Sequence, residues 1–283
     1  MKYYIREARP QNWLKNIFIF VPLVFSLKFF YVEKLLTTIF AVAVFCLVSS
    51  AIYVFNDIFD RKADAAHPIK CSRPIASGAL PVGKAAVFGA ILAVIGVAAG
   101  FALNLCLGVF TVLYLALNMA YTRWLKLLPV LDCFCIAASF VLRVYAGGAA
   151  SGESVSDWLF LTVVSMALFM AFGKRRGELL RIDETAARPV LQRYDLQFLN
   201  GILFVCAGLS IAFYALWAMN RGFHMIYTVP LIIFIVAKYL LLIHNPDSHG
   251  DPTTVILQDK VLLCACGVYG LTVIGLLYFG GTK

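Results

Sequence analysis

Long apolar segments separated by short polar stretches make up most of this chain. Nine of them approach the roughly 20 residues with which a helix crosses a bilayer core of about 30 Å. Because hydrocarbon offers the backbone no hydrogen-bond partners, all nine are expected to be helices. A tight hairpin near Asn104 must connect the third segment to the fourth. The nine segments are about 14–31, 35–55, 85–103, 104–120, 129–149, 157–173, 197–219, 225–243 and 261–280.

The composition supports the same interpretation. Of the 283 residues, 62% are hydrophobic and 14% are charged, whereas an ordinary soluble domain is about half apolar and about a quarter charged. The polar start of the chain shows no signal-peptide core followed by a cleavage site. The sequence therefore predicts an all-α polytopic membrane protein, with nine transmembrane helices forming a single domain over residues 1–283 in a lipid bilayer.

Lysine and arginine are distributed unevenly between alternate loops. If the N-terminus lies inside, eighteen of the 24 fall on the inner side and four on the outer side. This bias predicts a cytoplasmic N-terminus and, after nine spans, an outer C-terminus in a bacterial-type inner membrane. The net charge of +9 then reflects orientation and contact with anionic lipid, and no nucleic-acid partner is expected. The active site should open to the cytoplasm, through loops 56–84, 121–129, 174–196 and 244–260.

The second apolar segment ends in a cluster of acids. On a helix, Tyr53, Asp57, Asp60 and Asp64 fall at i, i+4, i+7 and i+11 and share one face, with Asn56 one position round from it. Acids at a helix C-terminus are opposed by the macrodipole and by one another, so a positive partner is expected among them. Oxygen ligands beside water suit Mg²⁺ together with substrate phosphates. This interpretation is favoured over a solvated loop that merely begins with charged residues.

The next stretch, 67–78, reads HPIKCSRPIASG and is stiffened by Pro68 and Pro74. Lys70 could bind phosphate as a point charge, and Arg73 could bind it through two parallel hydrogen bonds. An equally good alternative is that both bases only belong to the excess of lysine and arginine on the inner side of the membrane.

Three more polar groups lie on the same predicted side of the membrane. They are Lys15 and Asn16 at the start of the first segment, Tyr121, Lys126 and Asp132 around a short turn, and Lys174, Arg175 and Glu178 at i, i+1 and i+4. Arg176 and Arg181 are expected to face solvent or lipid headgroups. Acids for Mg²⁺ and bases for phosphate on one membrane face describe a diphosphate site, with an apolar bundle beside it for a lipid chain.

Arg143 is the least expected charge, since it lies within an apolar segment. A charge there should face the interior of the bundle and pair with an acid or a phosphate. A structural ion pair explains it nearly as well as a substrate contact.

The order of these motifs resembles the UbiA superfamily of intramembrane prenyltransferases. The pattern Asn56-Asp57-x-x-Asp60-x-x-x-Asp64, at the end of the second of nine helices, is similar to that family's first aspartate motif. Tyr121 followed by Lys126 is similar to the pair after its fourth helix. The resemblance covers essentially the whole chain and implies a UbiA-like helical bundle.

Within that superfamily the chain looks like the branch of decaprenyl-phosphate phosphoribosyltransferases. The resemblance implies Mg²⁺-dependent transfer of 5-phosphoribose from phosphoribosyl pyrophosphate to a polyprenyl phosphate, such as decaprenyl phosphate, with release of diphosphate. The similar stretches are 9–16, 56–64, 67–78, 132–148, 173–180 and 251–260.

On this hypothesis Asp57, Asp60 and Asn56 are the catalytic residues and, with Asp64, the metal ligands. The lipid phosphate is already an anion, so its attack on the anomeric carbon needs no strong general base. The expected substrate-binding residues are Lys15, Asn16, Tyr53, Lys70, Arg73, Tyr121, Lys126, Asp132, Arg143, Lys174, Arg175 and Glu178.

The chain departs from the family's pattern at two places. Quinone-type members carry a second aspartate-rich motif after the sixth helix, where this chain has the basic stretch 173–178. The extra cations suit a donor that carries a 5-phosphate as well as a diphosphate. Cys71 stands where the branch commonly has arginine.

Two other functions fit part of this pattern. One is a UbiA-type prenyltransferase that alkylates an aromatic acceptor in quinone biosynthesis, against which the basic 174–176 stretch argues. The other is a transporter of anionic lipids. Transporters usually place their polar groups near the middle of the membrane on broken helices, whereas here nearly all of them lie at one edge.

Overall fold

A computed structural model of the protein describes residues 2–68, 70–180, 189–222, 224–245 and 252–279. These residues form α-helices and short 3₁₀ helices, with no strand among them. The α-helices are α1 (Lys2–Ala8), α2 (Val21–Phe25), α3 (Val32–Phe59), α4 (Arg61–Ala65), α5 (Val82–Leu103), α6 (Leu105–Arg123), α7 (Leu131–Ser151), α8 (Asp157–Leu180), α9 (Leu196–Arg221), α10 (Val229–His244), α11 (Pro252–Gln258) and α12 (Lys260–Phe279). The all-α prediction is confirmed.

Eight helices in the described part of the chain are long and apolar enough to cross a membrane. They coincide with the second to ninth predicted segments. The first predicted segment, 14–31, does not form one α-helix: a 3₁₀ helix covers Pro10–Phe20 and α2 follows it. A count of nine spans is therefore not confirmed.

Several helices extend beyond the apolar segments that predicted them. α3 continues to Phe59, α6 to Arg123 and α8 to Leu180, so the predicted loops 56–84, 121–129 and 174–196 each begin inside a helix. Parts of the last two predicted loops, 181–188 and 246–251, lie outside the described residues. Charged residues do not end these helices because lysine, arginine and glutamate are good helix formers once the backbone reaches water.

The chain divides into two compact units. The first contains residues 1–126 and 139–155, and the second contains 127–138 and 156–283. The expectation of one transmembrane domain over the whole chain stays a prediction.

The first unit is built on α3, which packs against α5 and α6. Its core contains Phe45 and Tyr114, whose ring centroids lie 5.1 Å apart. Asn104 makes the predicted hairpin between α5 and α6: its side chain accepts a hydrogen bond from the backbone N–H of Leu107 at 2.7 Å and donates one to the carbonyl of Ala149 at 3.0 Å. The first bond caps the start of α6, and the second ties the turn to α7.

A smaller apolar cluster holds the loop that follows α4. Ile75 and Leu80 from this loop are buried against Val54 and Ala85. This packing fixes the stretch that carries Arg73 to the end of α3.

The second unit is built mainly on α8 and α9. Phe169 and Phe172 of α8 are fully buried, and each makes an edge-to-face ring contact, with Tyr239 and Phe198 respectively. Asp195 caps the start of α9 by accepting hydrogen bonds from two backbone N–H groups. The helices of this unit pack through aromatic contacts, as expected for an apolar bundle.

Large apolar side chains remain exposed along the long helices. On α5 these include Ile91, Val94 and Ile95, each at least half exposed. Exposed apolar surface of this extent is the surface of a protein that lies in lipid.

We predict that Gly147→Ala destabilises the protein by at least about 1–3 kcal/mol, because an added Cβ would overlap the carbonyl oxygen of Ile19. Gly201 is also helical and has open space at its Cβ position, so Gly201→Ala should leave stability unchanged or raise it by up to about 1 kcal/mol. Thermal unfolding of the purified variants in detergent measures both changes. Equal unfolding temperatures for the two variants would contradict the close packing at Gly147.

Candidate active site

The predicted acids lie together in the first unit, at the end of α3, although they do not share one continuous helix. α3 ends at Phe59, Asp60 is its C-terminal cap, and Asp64 belongs to the short helix α4. The one-face prediction is therefore wrong beyond Phe59, because the chain turns at Asp60.

Asp57 is the buried centre of the cluster, with 1% of its surface exposed. One carboxylate oxygen receives a hydrogen bond from the guanidinium of Arg9. The other receives hydrogen bonds from Nη1 of Arg73 at 3.1 Å and from the amide of Asn56 at 3.4 Å. Two guanidinium groups thus compensate the charge of one buried carboxylate, whose burial without them would cost several kcal/mol.

The other two acids also have basic partners. Arg73 Nη1 lies 2.5 Å from an oxygen of Asp64 and so bridges Asp57 and Asp64. Lys126 Nζ lies 2.5 Å from Asp60 Oδ1. The expectation of positive partners among the acids is confirmed.

The N-terminal segment contributes two residues that the sequence analysis did not select, Glu7 and Arg9. The Arg9 guanidinium also stacks 5.3 Å above the ring centre of Tyr53. Glu7 is 1% exposed, and burial together with the neighbouring Asp57 carboxylate raises its pKa to about 7. No periodicity marks these two positions. Arg9 does fall within the stretch 9–16 that resembles the family, whereas Glu7 is marked only as a charge in the short polar stretch before Pro10.

A cavity of about 220 Å³ opens between this segment and the end of α3. Its walls carry three guanidinium groups, two carboxyl groups and two side-chain amides. They come from Arg6, Glu7, Arg9, Gln11, Asn12, Asp57 and Arg73, and Pro74 completes the lining. The cavity is therefore strongly polar and carries more arginine than acid.

Arg143 and Asn16 meet each other within the first unit, in a network separate from the acids. The buried Arg143 donates from Nε to Asn16 at 2.9 Å, from Nη1 to the Ser139 carbonyl at 2.9 Å, and from Nη2 to the Tyr114 hydroxyl at 2.5 Å. No carboxylate lies within ion-pair distance of it in the described part of the chain. These contacts satisfy hydrogen-bond donors of the Arg143 guanidinium. Its positive charge is not balanced by a carboxylate among the residues that the structure describes.

The second unit holds its own predicted residues in a buried network. Arg175, 1% exposed, pairs with the fully buried Asp132 and with Glu178, each at 2.5 Å. The Tyr194 hydroxyl donates to Asp132 at 2.6 Å and accepts from the backbone N–H of Val130 at 2.6 Å. The structure thus brings the predicted trio Asp132, Arg175 and Glu178 together.

Arg176 does not face solvent as expected. It is 7% exposed and donates hydrogen bonds to the Asn200 side chain and the Ile243 carbonyl, which replace the water that its guanidinium loses. Arg181 lies outside the described residues. The remaining predicted residues, Lys15, Lys70, Tyr121 and Lys174, are all partly buried.

The donor chemistry at the end of α3 fits Mg²⁺. No three acidic, histidine or cysteine side chains converge as a closed metal site among the residues that the structure describes. Mg²⁺ does not require such a site, since it is commonly bound by one or two carboxylates with water and substrate phosphates. The carboxylates of Asp57 and Asp60 and the side-chain amide oxygen of Asn56 are ligands of this type.

Comparisons with known proteins show the family of the chain. The sequence profile of the UbiA prenyltransferase family matches residues 17–257. A decaprenyl-phosphate phosphoribosyltransferase of Corynebacterium glutamicum is 34% identical over 273 residues, which cover 91% of this chain and 81% of that protein. One from Mycobacterium tuberculosis is 31% identical over 286 residues, 98% of this chain and 94% of that protein.

The fold also matches a solved structure. A UbiA homologue from Archaeoglobus fulgidus, determined with GPP and Mg²⁺ bound, superimposes with a TM-score of 0.76 at 18% identity, covering 96% of this chain and 99% of that one. The likeness confirms the fold, and the apolar helices make this an integral multi-pass membrane protein.

We predict that Glu7→Gln raises the unfolding temperature at pH 8 and does so progressively less towards pH 5. The pKa of Glu7 is about 7 in the folded protein against an ordinary value of 4.5, so its contribution to stability is complete below pH 4.5 and is lost as the pH rises through about 7. Thermal unfolding in detergent with a metal chelator measures the effect. The exposed Glu33 provides the control, since Glu33→Gln should give a difference that does not vary with pH in this way.

A second prediction concerns the buried pair in the second unit. Arg175→Gln should destabilise the protein by about 3–5 kcal/mol, because it leaves the Asp132 carboxylate buried and uncompensated. Adding Asp132→Asn should recover part of that loss. Arg193 is exposed, so the control Arg193→Gln should leave the unfolding temperature nearly unchanged. If the double variant Arg175→Gln/Asp132→Asn is no more stable than Arg175→Gln, the pairing of Arg175 with Asp132 is contradicted.

Proposed function

Because the chain belongs to the UbiA prenyltransferase family, we propose that it transfers 5-phosphoribose from phosphoribosyl pyrophosphate to a polyprenyl phosphate such as decaprenyl phosphate. The relatives that carry this activity in their names match nearly the full chain. The observation that carries the proposal is the excess of arginine around the buried Asp57. Such a site suits a donor with several phosphates.

The residues at the end of α3 would hold Mg²⁺, with Asp57 and Asp60 as carboxylate ligands and Asn56 and Asp64 beside them. When bound, Mg²⁺ supplies positive charge that makes diphosphate a better leaving group. Arg9 and Arg73 compensate Asp57 in the protein alone. With Mg²⁺ bound beside Asp57, the guanidinium groups of Arg9 and Arg73 would be available to the donor phosphates.

The reaction breaks the bond between the anomeric carbon and the diphosphate oxygen and forms a bond from that carbon to a lipid phosphate oxygen. The leaving diphosphate gains negative charge, which Arg73 and Lys126, the ion-pair partners of Asp57 and Asp60, would stabilise. Attack from the opposite face inverts the centre, and the anionic acceptor needs no proton removed. Positioning and electrostatic stabilisation therefore supply most of the rate enhancement.

The other predicted contacts are part of the same proposal. Lys15, Lys70 and Lys174 would add phosphate contacts, while Arg175 acts first through its ion pairs with Asp132 and Glu178. The site would open to the cytoplasm of a bacterial-type inner membrane, with the N-terminus inside.

We predict that purified protein with Mg²⁺, labelled phosphoribosyl pyrophosphate and decaprenyl phosphate forms a labelled lipid. Asp57→Ala should lower this rate by about 100-fold or more, because the leaving group loses its stabilisation. Glu33 lies in the first turn of the same helix α3, at the opposite end from Asp57, so Glu33→Ala is the matched control and should retain the wild-type rate.

Two results would count against the proposal. Absence of labelled lipid with the wild-type protein would exclude phosphoribosyl transfer to this acceptor, and activity unaffected by Asp57→Ala would exclude the site. Transfer of an isoprenyl group to an aromatic acid instead would identify the chain as a prenyltransferase of the quinone type.

A further inference from the structure

The cavity beside Asp57 contains groups of two opposite kinds. Arg6, Arg9 and Arg73 supply guanidinium donors, and Glu7 supplies a buried carboxyl group. One side of the Glu7 carboxyl group is hydrogen-bonded to Asp57. A metal–diphosphate site needs the acids at the end of α3 and bases around them, and this does not explain the other carboxyl oxygen of Glu7. This residue therefore needs a separate explanation.

Glu7 is buried with an unsatisfied acceptor. Its Oε1 has no hydrogen-bond partner in the described part of the chain. A buried polar atom without a partner costs free energy, which a ligand that donates a hydrogen bond would recover. The residue lines the cavity, so such a ligand can reach it from there.

The remaining groups of the cavity select an anion. Arginine guanidinium groups bind phosphate through paired hydrogen bonds, and the side-chain amides of Gln11 and Asn12 add further donors. A ligand that carries both a phosphate and donating hydroxyl groups satisfies the whole lining. A sugar phosphate is such a ligand, whereas an isoprenyl diphosphate has no hydroxyl group to offer Glu7.

The segment that carries these residues is held firmly on α3. Ser50 donates a hydrogen bond to the carbonyl of Ala8 at 2.9 Å and accepts one from the Trp13 indole at 3.0 Å. Between them the chain turns at Arg9, which has a left-handed backbone (φ 52°). This turn places Glu7 and Arg9 at the same cavity, next to Asp57, and a pre-formed arrangement of this kind favours specific binding.

We propose that Glu7 and Arg9 form the subsite for the ribose 5-phosphate part of the donor. Glu7 accepts hydrogen bonds from ribose hydroxyl groups, and Arg9, with Arg6, binds a phosphate of the same molecule. A cavity of about 220 Å³ suits a fragment smaller than the drug-sized ligands of larger pockets. This inference rests on the proposed function and adds the residues by which the site selects a phosphoribosyl donor.

The test measures binding of labelled phosphoribosyl pyrophosphate to the full-length protein in detergent, in competition with ribose 5-phosphate, 2-deoxyribose 5-phosphate and inorganic diphosphate. For the wild type, ribose 5-phosphate should compete about tenfold or more better than the 2-deoxy compound, because the hydrogen bond from the 2-hydroxyl group to the Glu7 carboxyl group is lost. In Glu7→Ala this preference should disappear, while competition by diphosphate stays within about twofold of the wild type.

Substitution of Arg9 should give a different pattern of competition, since the proposed role of Arg9 is to contact phosphate and not hydroxyl groups. Arg9→Gln should weaken ribose 5-phosphate and its 2-deoxy analogue by the same factor, about tenfold or more. Lys2 is exposed on the same short helix α1 as Glu7, so Lys2→Ala is the matched control and should keep wild-type competition. Glu7→Gln provides a second variant that is expected to fold at least as stably as the wild type.

The outcomes separate this inference from the proposed function. If the wild type binds and transfers phosphoribose while Glu7→Ala and Glu7→Gln keep the full preference for ribose 5-phosphate, the subsite is overturned and the function stands. If the wild type binds no phosphoribosyl pyrophosphate, both are overturned. If Glu7→Ala loses the preference for ribose 5-phosphate and the wild type transfers phosphoribose, the subsite and the proposed function are both supported.

Discussion

The first unit depends on how the charge of Asp57 is kept inside it. Burying a carboxylate is costly unless positive charge lies beside it, and Arg9 and Arg73 bring that charge from two different parts of the chain. One comes from the N-terminal segment and the other from the loop after α4. The same ion pairs therefore hold both segments against the end of α3, and the cavity between them exists because of this attraction.

The reactive side chains and the apolar helices that position them belong to different parts of this chain. The long helices are almost entirely apolar and pack through rings and small residues. The reactive groups lie at helix ends and on short connecting segments, where water and an ionic substrate can reach them. The second unit follows the same rule, since Arg175 and Asp132 lie near the ends of α8 and α7. Few polar groups therefore need to be buried in lipid.

Much of this could be predicted from the sequence, because runs of apolar residues determine where a chain can cross lipid. The eight long spans and the Asn104 hairpin follow from that rule. The helix ends were less predictable, since charged residues such as Lys174 continue α8 instead of ending it. Glu7 had no pattern to reveal it, and Arg9 was marked only by the similar stretch 9–16. The importance of both comes from contacts with Asp57, about fifty positions away in the chain. Arg176 is buried for a similar reason, through partners on α9 and α10.

A bundle that admits a charged substrate at one edge must still not conduct ions. Arg143 carries a permanent positive charge inside the first unit, and the described residues give it hydrogen bonds without a compensating acid. A fixed cation in a low-dielectric interior raises the energy of any other cation that enters, protons included. Arg143 therefore opposes the entry of cations, protons included, into the interior of this unit.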